Sequence, residues 1–568
     1  MREPLFHAEQ VPEEILAAIV AAGPRHWEDL HPSDRGSVGN ARLRLVGVYD
    51  DRFEGTFMLR TRIPGGRLTA AQVDVLAGVV RDFSVHAEGS QGEPDRFGEV
   101  TTRQDLQIHW IRFEHLPEIW RRYAEVGLGS LQACGNSMRN VTACAVDGID
   151  PRAAFEVGPI VDAIGAIARD EPRLTAFLPR KFKVVLTACP TDCAVARIHC
   201  LAFTPARRDG TLGFNVHAGG GLSDYPRLAS ALDLFVEPAQ APAVVHAALR
   251  VYRSFGDYEN PSINRFRALV HELGAERVAS ELRDRLPFEA PSAGEDLTTW
   301  KPEDHVGVHP DVEGTSYVGL SVPLGRLSAD ELSELARLAR SHGDGRVRFT
   351  QRQNVVLTGV ADVDALLAQP LLGRLTPSPD PFERGVVACT SAPFCKFAIL
   401  AMKPLGAKLI DQLRAHVPRE GWDRLQGLRI HMSGCKASCA QIPVAHVGLR
   451  ATMGNDGKGY HDAFDVAMGG DAGAPRLARW ARGEVPVEAA FEGVTGLLTK
   501  VAKGELSLDD LSAGLSPWSG VGSAPFPEEV ARTGGQRPRG LGDGRGTGDR
   551  EGDGGLPAGG PAKNGPPR

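Results

Sequence analysis

The chain has no apolar run near the roughly 20 residues that a membrane-crossing helix needs, so no membrane span is expected. It has no cationic excess either: 64 Lys and Arg face 71 Asp and Glu, for a net charge of −7. That balance removes the basic footprint of a nucleic-acid partner. No basic stretch runs into an apolar one over Met1 to Gln10, so no secretory signal is expected and the cytoplasm is the expected compartment. No glycine fingerprint for a nicotinamide or flavin dinucleotide opens a helix; the Gly-rich run His217–Ser223 lacks that spacing and reads equally as a plain turn. Cysteine is sparse and odd in number, nine in 568 residues, which suits a reducing compartment and metal ligation better than a disulfide framework.

Four of those cysteines fall into two tight pairs: Cys389-x5-Cys395 in "ACTSAPFCKFA" and Cys435-x3-Cys439 in "HMSGCKASCA". Two loops that each offer two thiolates can hold one metal centre, and soft thiolates select zinc or iron–sulfur clusters. Zinc pairs are usually C-x2–4-C, so the longer arm points to a [4Fe–4S] cluster.

The chain also repeats itself. "PGGRLTA" at Pro64–Ala70 returns as "PLGRLSA" at Pro323–Ala329, "TTRQD" at Thr101–Asp105 as "TQRQN" at Thr350–Asn354, and Cys189-x3-Cys193 as Cys435-x3-Cys439. "FNVHAGGG" at Phe214–Gly221 returns as "FDVAMGGD" at Phe464–Asp471. The period is too long for a solenoid. It implies two copies of a folding unit with pseudo-two-fold symmetry and a site between them.

Each copy reads as mixed α/β. In the first, Gly55–Ile63 alternates as a strand, Thr69–Phe83 has a Thr cap and helical spacing, Leu106–Phe113 is a strand, and a helix follows around Pro117–Val126. Lys181–Ala188 and Arg197–Pro205 supply later strands. The fold class is α+β, built from duplicated mixed α/β half-units. The expected organisation is 1–145 (an N-terminal arm and first ferredoxin-like half-unit), 146–290 (a first cofactor- and substrate-side domain), 291–375 (linker and second half-unit) and 376–515 (the cysteine-bearing domain). A Gly- and Pro-rich tail, 516–568, is expected to be disordered.

"TTRQDLQIHWI", "CGNSMRNVTAC", "LPRKFKVVLTA", "CTSAPFCKFAI" and "MSGCKASCAQ" together resemble the sirohaem-containing nitrite and sulfite reductases, in order and in both copies from about Val46 to Ala513. The resemblance implies a [4Fe–4S] cluster coupled to sirohaem and six-electron reduction of nitrite to ammonia or of sulfite to sulfide. It makes Cys389, Cys395, Cys435 and Cys439 the cluster ligands, with Cys439 also the axial ligand of the sirohaem. Arg103, Arg139, Lys181 and Lys183 match the family's anion-binding residues. Arg offers fixed donors and Lys can pass a proton, and the Lys-Phe-Lys alternation puts both ammonium groups on one strand face. Further cations must serve the sirohaem carboxylates, with Arg348 and Arg352 as candidates. Electrons are expected from ferredoxin or a flavoprotein.

In the first copy Cys134, Cys189 and Cys193 are aligned with Cys389, Cys435 and Cys439, and Asn140 with Cys395; they read as remnants or buried thiols. Cys134 also resembles a cysteine that some sulfite-reducing members join to a tyrosine, but the matching tyrosine is missing, with Phe53-Glu54 near its place. His109 reads as a structural histidine. The alternative activity is that of a precorrin-3B synthase-like iron–sulfur oxygenase of corrinoid synthesis, which shares the duplicated fold but does not need an Arg139/Lys181/Lys183 anion pocket. A non-catalytic electron carrier needs neither that pocket nor a duplicated core.

Overall fold

Two helices with the same start signal mark the duplication in the computed structural model, which describes residues 3–512 apart from 8, 86–95, 300–302, 458 and 474–475. The predicted tail over 516–568 lies outside the described residues. Thr69 caps the helix Ala70–Phe83: its hydroxyl accepts from the Gln72 amide at 3.3 Å, and Gln72 Oε1 accepts from the Thr69 amide at 2.9 Å. Ser328 and Glu331 make the same reciprocal pair for Ala329–His342, at 3.2 and 2.8 Å. Each cap satisfies two amides that the first turn leaves without partners. Val73, Leu76 and Val80 of one helix and Leu332, Leu335 and Leu338 of the other are buried in one shared core.

The first copy supplies β1 (Val48–Asp50), β2 (Thr56–Thr61), β3 (Arg67–Thr69), β4 (Phe97–Val100), β5 (Leu106–Arg112), β6 (Thr142–Ala143), β7 (Val184–Leu186), β8 (Leu201–Arg208), β9 (Thr211–Ala218) and β10 (Ser230–Val236). Short β11 (Glu295–Asp296) precedes the second copy. That copy repeats the order with β12 (Gly307–Pro310), β13 (Ser316–Leu320), β14 (Arg326–Ser328), β15 (Arg346–Phe349), β16 (Val355–Val360), β17 (Val386–Ala388), β18 (Ile430–Ser433), β19 (Val447–Asn455), β20 (Tyr460–Met468) and β21 (Arg479–Pro486).

The copies are interlocked. The first half-unit sheet runs β1-β2-β5-β4-β14 and its counterpart runs β12-β13-β16-β15-β3, so each sheet ends on a strand from the other copy. Buried glutamines repeat the exchange. Gln104 Nε2 donates to the Phe349 carbonyl at 2.9 Å, and Gln353 Nε2 donates to the Val100 carbonyl at 3.0 Å. Exposed strand edges are thereby covered.

The other two sheets run β10-β9-β8-β7-β6 and β17-β18-β19-β20-β21. Three strands of each are parallel: β6, β7 and β8 in one, β17, β18 and β19 in the other. Ligands in such sheets bind beyond the carboxyl ends of the parallel strands, and both pairs of cysteine loops leave the sheets there. The strand expected over 181–188 is confined to Val184–Leu186, although Phe182 bridges Met138 just before it. The strand expected from Arg197 begins at Leu201, because Ala196–Ile198 forms a 3-10 turn.

Candidate active site

Cys389 follows β17 and Cys435 follows β18, so parallel pairing sets the two cysteine loops side by side. The Cys389 amide donates to the Met432 carbonyl at 3.0 Å, and the Gly434 amide donates to Cys389 Sγ at 3.2 Å. A Cβ on Gly434 would fall 2.4 Å from Ser391 Oγ, so glycine is needed for that approach. Ser391, Ser438 and Gln441 hold positive φ, a conformation non-glycine residues adopt mainly where the surroundings enforce it. All four cysteines are free thiols. Burial pushes the Cys389 thiol up, and pushes that of Cys395 up to about 11. Both sulfurs feel Cys435 and Cys439, so the loops concentrate groups whose thiolate form calls for a metal.

The first copy reaches across to these loops. Thr102, in the turn between β4 and β5, donates its hydroxyl to the Cys439 carbonyl at 3.0 Å. The Arg52 amide donates to the Phe394 carbonyl at 2.8 Å and its guanidinium to the Ala398 carbonyl at 2.9 Å. Lys396 pairs with Asp50.

Around Cys439 the first copy gathers cations. Burial, then Arg265, Arg139 and Lys183, push the Lys181 ammonium well down; burial, then Arg103 and Arg265, push Lys183 down to about 7. Both lysines also feel Cys439. Phe182 between them is buried against Tyr252 and Phe266, so the alternation expected for Lys181-Phe182-Lys183 is present. Burial pushes Arg139 down to about 9 and Arg103 to about 10. A guanidinium stays charged, so these shifts mark buried positive charge that Asp105 offsets only in part. Asp105 is the carboxylate among them, and burial lifts it to about 6.

Arg139 spends its guanidinium on the Gly135 carbonyl, at 2.7 and 3.1 Å, and on the Ala133 carbonyl at 3.1 Å. Among the described residues, Arg103 keeps Nη1 buried without a hydrogen-bond partner, as do Nε of Arg60, Nη2 of Arg62 and Nε of Arg265. Orphaned donors and partly compensated cations beside a thiolate loop fit a polycarboxylate group such as sirohaem, together with a small anion.

Arg60, Arg62 and Arg265 were not singled out by the sequence. Arg60 and Arg62 interrupt an otherwise apolar strand two residues apart, which is a readable signal; Arg265 offers none. Arg348 and Arg352 do not join this cluster. Arg348 donates to the carbonyls of Ala145 and Asp147, and Arg352 to the carbonyl of Arg384. The Gly-rich run is a packing turn: a Cβ on Gly220 would lie 2.4 Å from the carbonyls of both Arg197 and His199.

Two alignments made from the sequence need correction. Cys144, not Cys134, is the counterpart of Cys389, because Cys144 follows β6 as Cys389 follows β17 and both strands pair in parallel with the next. Asn140 therefore does not stand for Cys395; its amide donates to the Ile63 and Arg103 carbonyls. The tyrosine near Cys134 is Tyr49 on β1, not a residue missing at Phe53-Glu54. Burial, and among its neighbours Cys134 and Cys395, push the Tyr49 phenol up.

His109 is structural; burial alone would lower its ring, but Asp51 and Glu99 outweigh it and raise it to about 9. Its Nδ1 lies 3.2 Å from Asp51 and its Nε2 3.7 Å from Glu99, all three buried, and its ring packs on Phe394. Glu99 also meets Arg326 at 3.0 Å and Lys403 at 3.3 Å and accepts from the Thr390 hydroxyl. This network ties both copies together directly behind the Cys389–Cys395 loop.

Comparison with known proteins matches these elements. Residues 134–289 match the model described as the nitrite and sulphite reductase 4Fe-4S domain. Residues 50–126 and 308–372 both match the nitrite/sulfite reductase ferredoxin-like half domain, once in each copy. The chain is similar to an assimilatory ferredoxin-dependent nitrite reductase of Haloferax mediterranei, 37% identical over 498 residues that cover 83% of this chain and 84% of that one. It is 36% identical to a ferredoxin–nitrite reductase of Synechococcus elongatus, over 79% of this chain and 86% of the relative. Among solved structures it resembles the Mycobacterium tuberculosis NirA protein, with a TM-score of 0.76, 26% identity, and coverage of 90% of this chain and 98% of the other.

Proposed function

The chain belongs to the nitrite and sulfite reductase family, and on that premise we propose that it reduces nitrite to ammonia with electrons from ferredoxin. The observation that carries this reading is the contact of Thr102 with the Cys439 carbonyl. It sets the cations of the first copy against the cysteine loops of the second.

The residues fit the family's cofactors. Cys389, Cys395, Cys435 and Cys439 would hold a [4Fe–4S] cluster, Cys439 would also serve the sirohaem, and Arg60, Arg62 and Arg265 would meet its carboxylates. Bound together, the two would supply electrons singly to an anion at the haem iron. The protein's own part is binding and protonation. Conversion of nitrite to ammonium takes up six electrons and eight protons and releases two waters. Arg103 and Arg139 hold the anion by fixed charge. Lys183, poised at about 7, can give a proton from Nζ to a departing oxygen, and Lys181 can do so once a bound anion restores its charge. Nothing in this chemistry calls for a membrane. No helix among the described residues is long and apolar enough to cross one, and we place the enzyme in the cytoplasm.

Lys183→Ala is expected to lower kcat/KM for nitrite by about 10²-fold or more, the scale for loss of one preorganised donor, with sirohaem and iron contents unchanged. Steady-state kinetics with reduced ferredoxin, read beside the visible spectrum, checks this. An unaltered kcat/KM would remove Lys183 from the reaction. A second substrate, sulfite, is favoured by one observation: Tyr49 is near enough to Cys134 to feel its charge, and these are the residue types that some sulfite-reducing members join. A mass loss of two hydrogens in a peptide linking the two residues would support it.

A further inference from the structure

The first copy contains a buried set of ligands that the reaction at Cys439 does not use. Among the described residues, one group of three Cys, His, Asp or Glu side chains brings its ligand atoms within 4.8 Å of one another: Cys144, Cys189 and His305. Cys193 Sγ lies 3.1 Å from Cys144 Sγ, and His305 Nε2 lies 3.8 Å from the same sulfur. All four side chains are buried, with Val146, Ile149, Tyr317 and Val356 closing round the sulfurs.

We propose that Cys144, Cys189, Cys193 and His305 form a structural zinc site, separate from the catalytic centre.

The donor set is three thiolates and one imidazole, a regular zinc complement, and Cys189-x3-Cys193 has the spacing of a zinc pair. Tetrahedral zinc with bonds of about 2.3 Å holds its sulfurs about 3.8 Å apart, so the 3.1 Å between Cys144 and Cys193 would open by several tenths of an ångström, and Cys193, which lies outside the 4.8 Å group, would turn in to complete the set. A [4Fe–4S] cluster gives each thiolate a different iron at a separate corner, which needs a wider set. A disulfide between Cys144 and Cys193 needs about 2.05 Å, well inside the 3.1 Å observed. The second nitrogen of His305, Nδ1, is buried with no hydrogen-bond partner among the described residues, and Cys144 is the polar side chain its Nε2 meets.

The site has a structural rationale. Cys144 follows β6 and Cys189 follows β7, the same two positions that carry Cys389 and Cys435 in the second copy. No cysteine in the first copy answers to Cys395, and His305, from the segment leading into β12, fills the fourth place. The ion would pin that segment to the first copy, beside the bonds from the Thr299 amide to the Pro190 carbonyl and from the Val312 amide to the Ile149 carbonyl. The duplicated loops would thus hold two different metals, one for electrons and one for structure.

The test is metal analysis of the full-length holoenzyme, purified without chelators or a metal-affinity step. About one zinc per chain, beside the cluster and haem iron, is expected. In a Cys144→Ser, Cys189→Ser variant, and independently in the milder His305→Ala variant, zinc should fall at least tenfold while the sirohaem bands and iron content stay. Cobalt offered in place of zinc during expression should show the thiolate-to-metal charge-transfer and d–d bands of a tetrahedral site. A holoenzyme without zinc, zinc retained by both variants, or a Cys144–Cys193 disulfide in a non-reduced peptide map would each overturn the assignment.

Discussion

Cys439→Ser is expected to reduce ferredoxin-dependent nitrite turnover to the level of reagents without enzyme, the largest activity loss of any single substitution in the chain. The other three cysteines each serve the cluster alone in the proposed arrangement, whereas Cys439 serves the cluster and the haem together. Serine keeps the shape of the loop. The Ser433 hydroxyl still accepts from the Ala440 amide at 3.1 Å, and the Thr102 bond uses the backbone of residue 439, not its side chain. The fold should therefore survive while the soft thiolate is lost. Visible spectra and electron paramagnetic resonance of the purified variant check this, with an altered haem spectrum and loss of cluster–haem coupling expected. Turnover within twofold of wild type would remove Cys439 from its proposed place.

Glu99→Ala is expected to have the largest effect on stability. Glu99 is 1% exposed and Lys403 2%, and Arg326 and His109 meet the same carboxylate. Removing one partner of a buried set leaves charges without compensation, at a cost of about 3–5 kcal/mol. The pH dependence follows from two opposite shifts. Burial alone would raise Glu99, but Lys403, His109 and Arg326 outweigh it and hold its carboxyl well below 4.5. Its contribution is present above pH 4.5 and is lost as pH falls through the folded value. Burial alone would lower His109, but Asp51 and Glu99 outweigh it and raise the ring from 6.5 to about 9. Its contribution is complete below pH 6.5 and is lost as pH rises through about 9. Urea midpoints between pH 4.5 and 6.5 should show the full gap between wild type and Glu99→Ala. The gap should narrow towards pH 9 and above, where His109 discharges in both. A gap constant across that range would contradict the assignment of charge.

The helices and most strands could be read from local chemistry. Thr69 with Gln72 and Ser328 with Glu331 announce their helices, and the buried positions of both follow the 3.6-residue period. Each cysteine pair of the second copy and the lysines flanking Phe182 were legible from local spacing, whereas the parallel pairing of β17 with β18 sets the two cysteine loops side by side. The interlocking was not. β3 and β14 are three residues long, and their pairing with β15 and β4 depends on contacts far apart in sequence. The misplaced cysteine has a simple cause. Ala-Cys occurs at 133–134 and again at 143–144, and only the parallel pairing of β6 with β7 shows which one matches Ala388-Cys389. His305 carries no signal at all, since it joins the buried sulfurs from a segment that looks like a linker.

The central claim is that cations of one copy and thiolates of the other form a single centre for six-electron chemistry. The most direct measurement is anaerobic single-turnover stoichiometry: holoenzyme, nitrite and a counted amount of reduced ferredoxin, with ammonium and oxidised ferredoxin both quantified. Six ferredoxins oxidised for each ammonium formed, with no free intermediate accumulating, is the predicted result. Nitrite left unreduced by a protein carrying its full iron and sirohaem, or oxygen-dependent turnover of a corrinoid precursor instead, would contradict it.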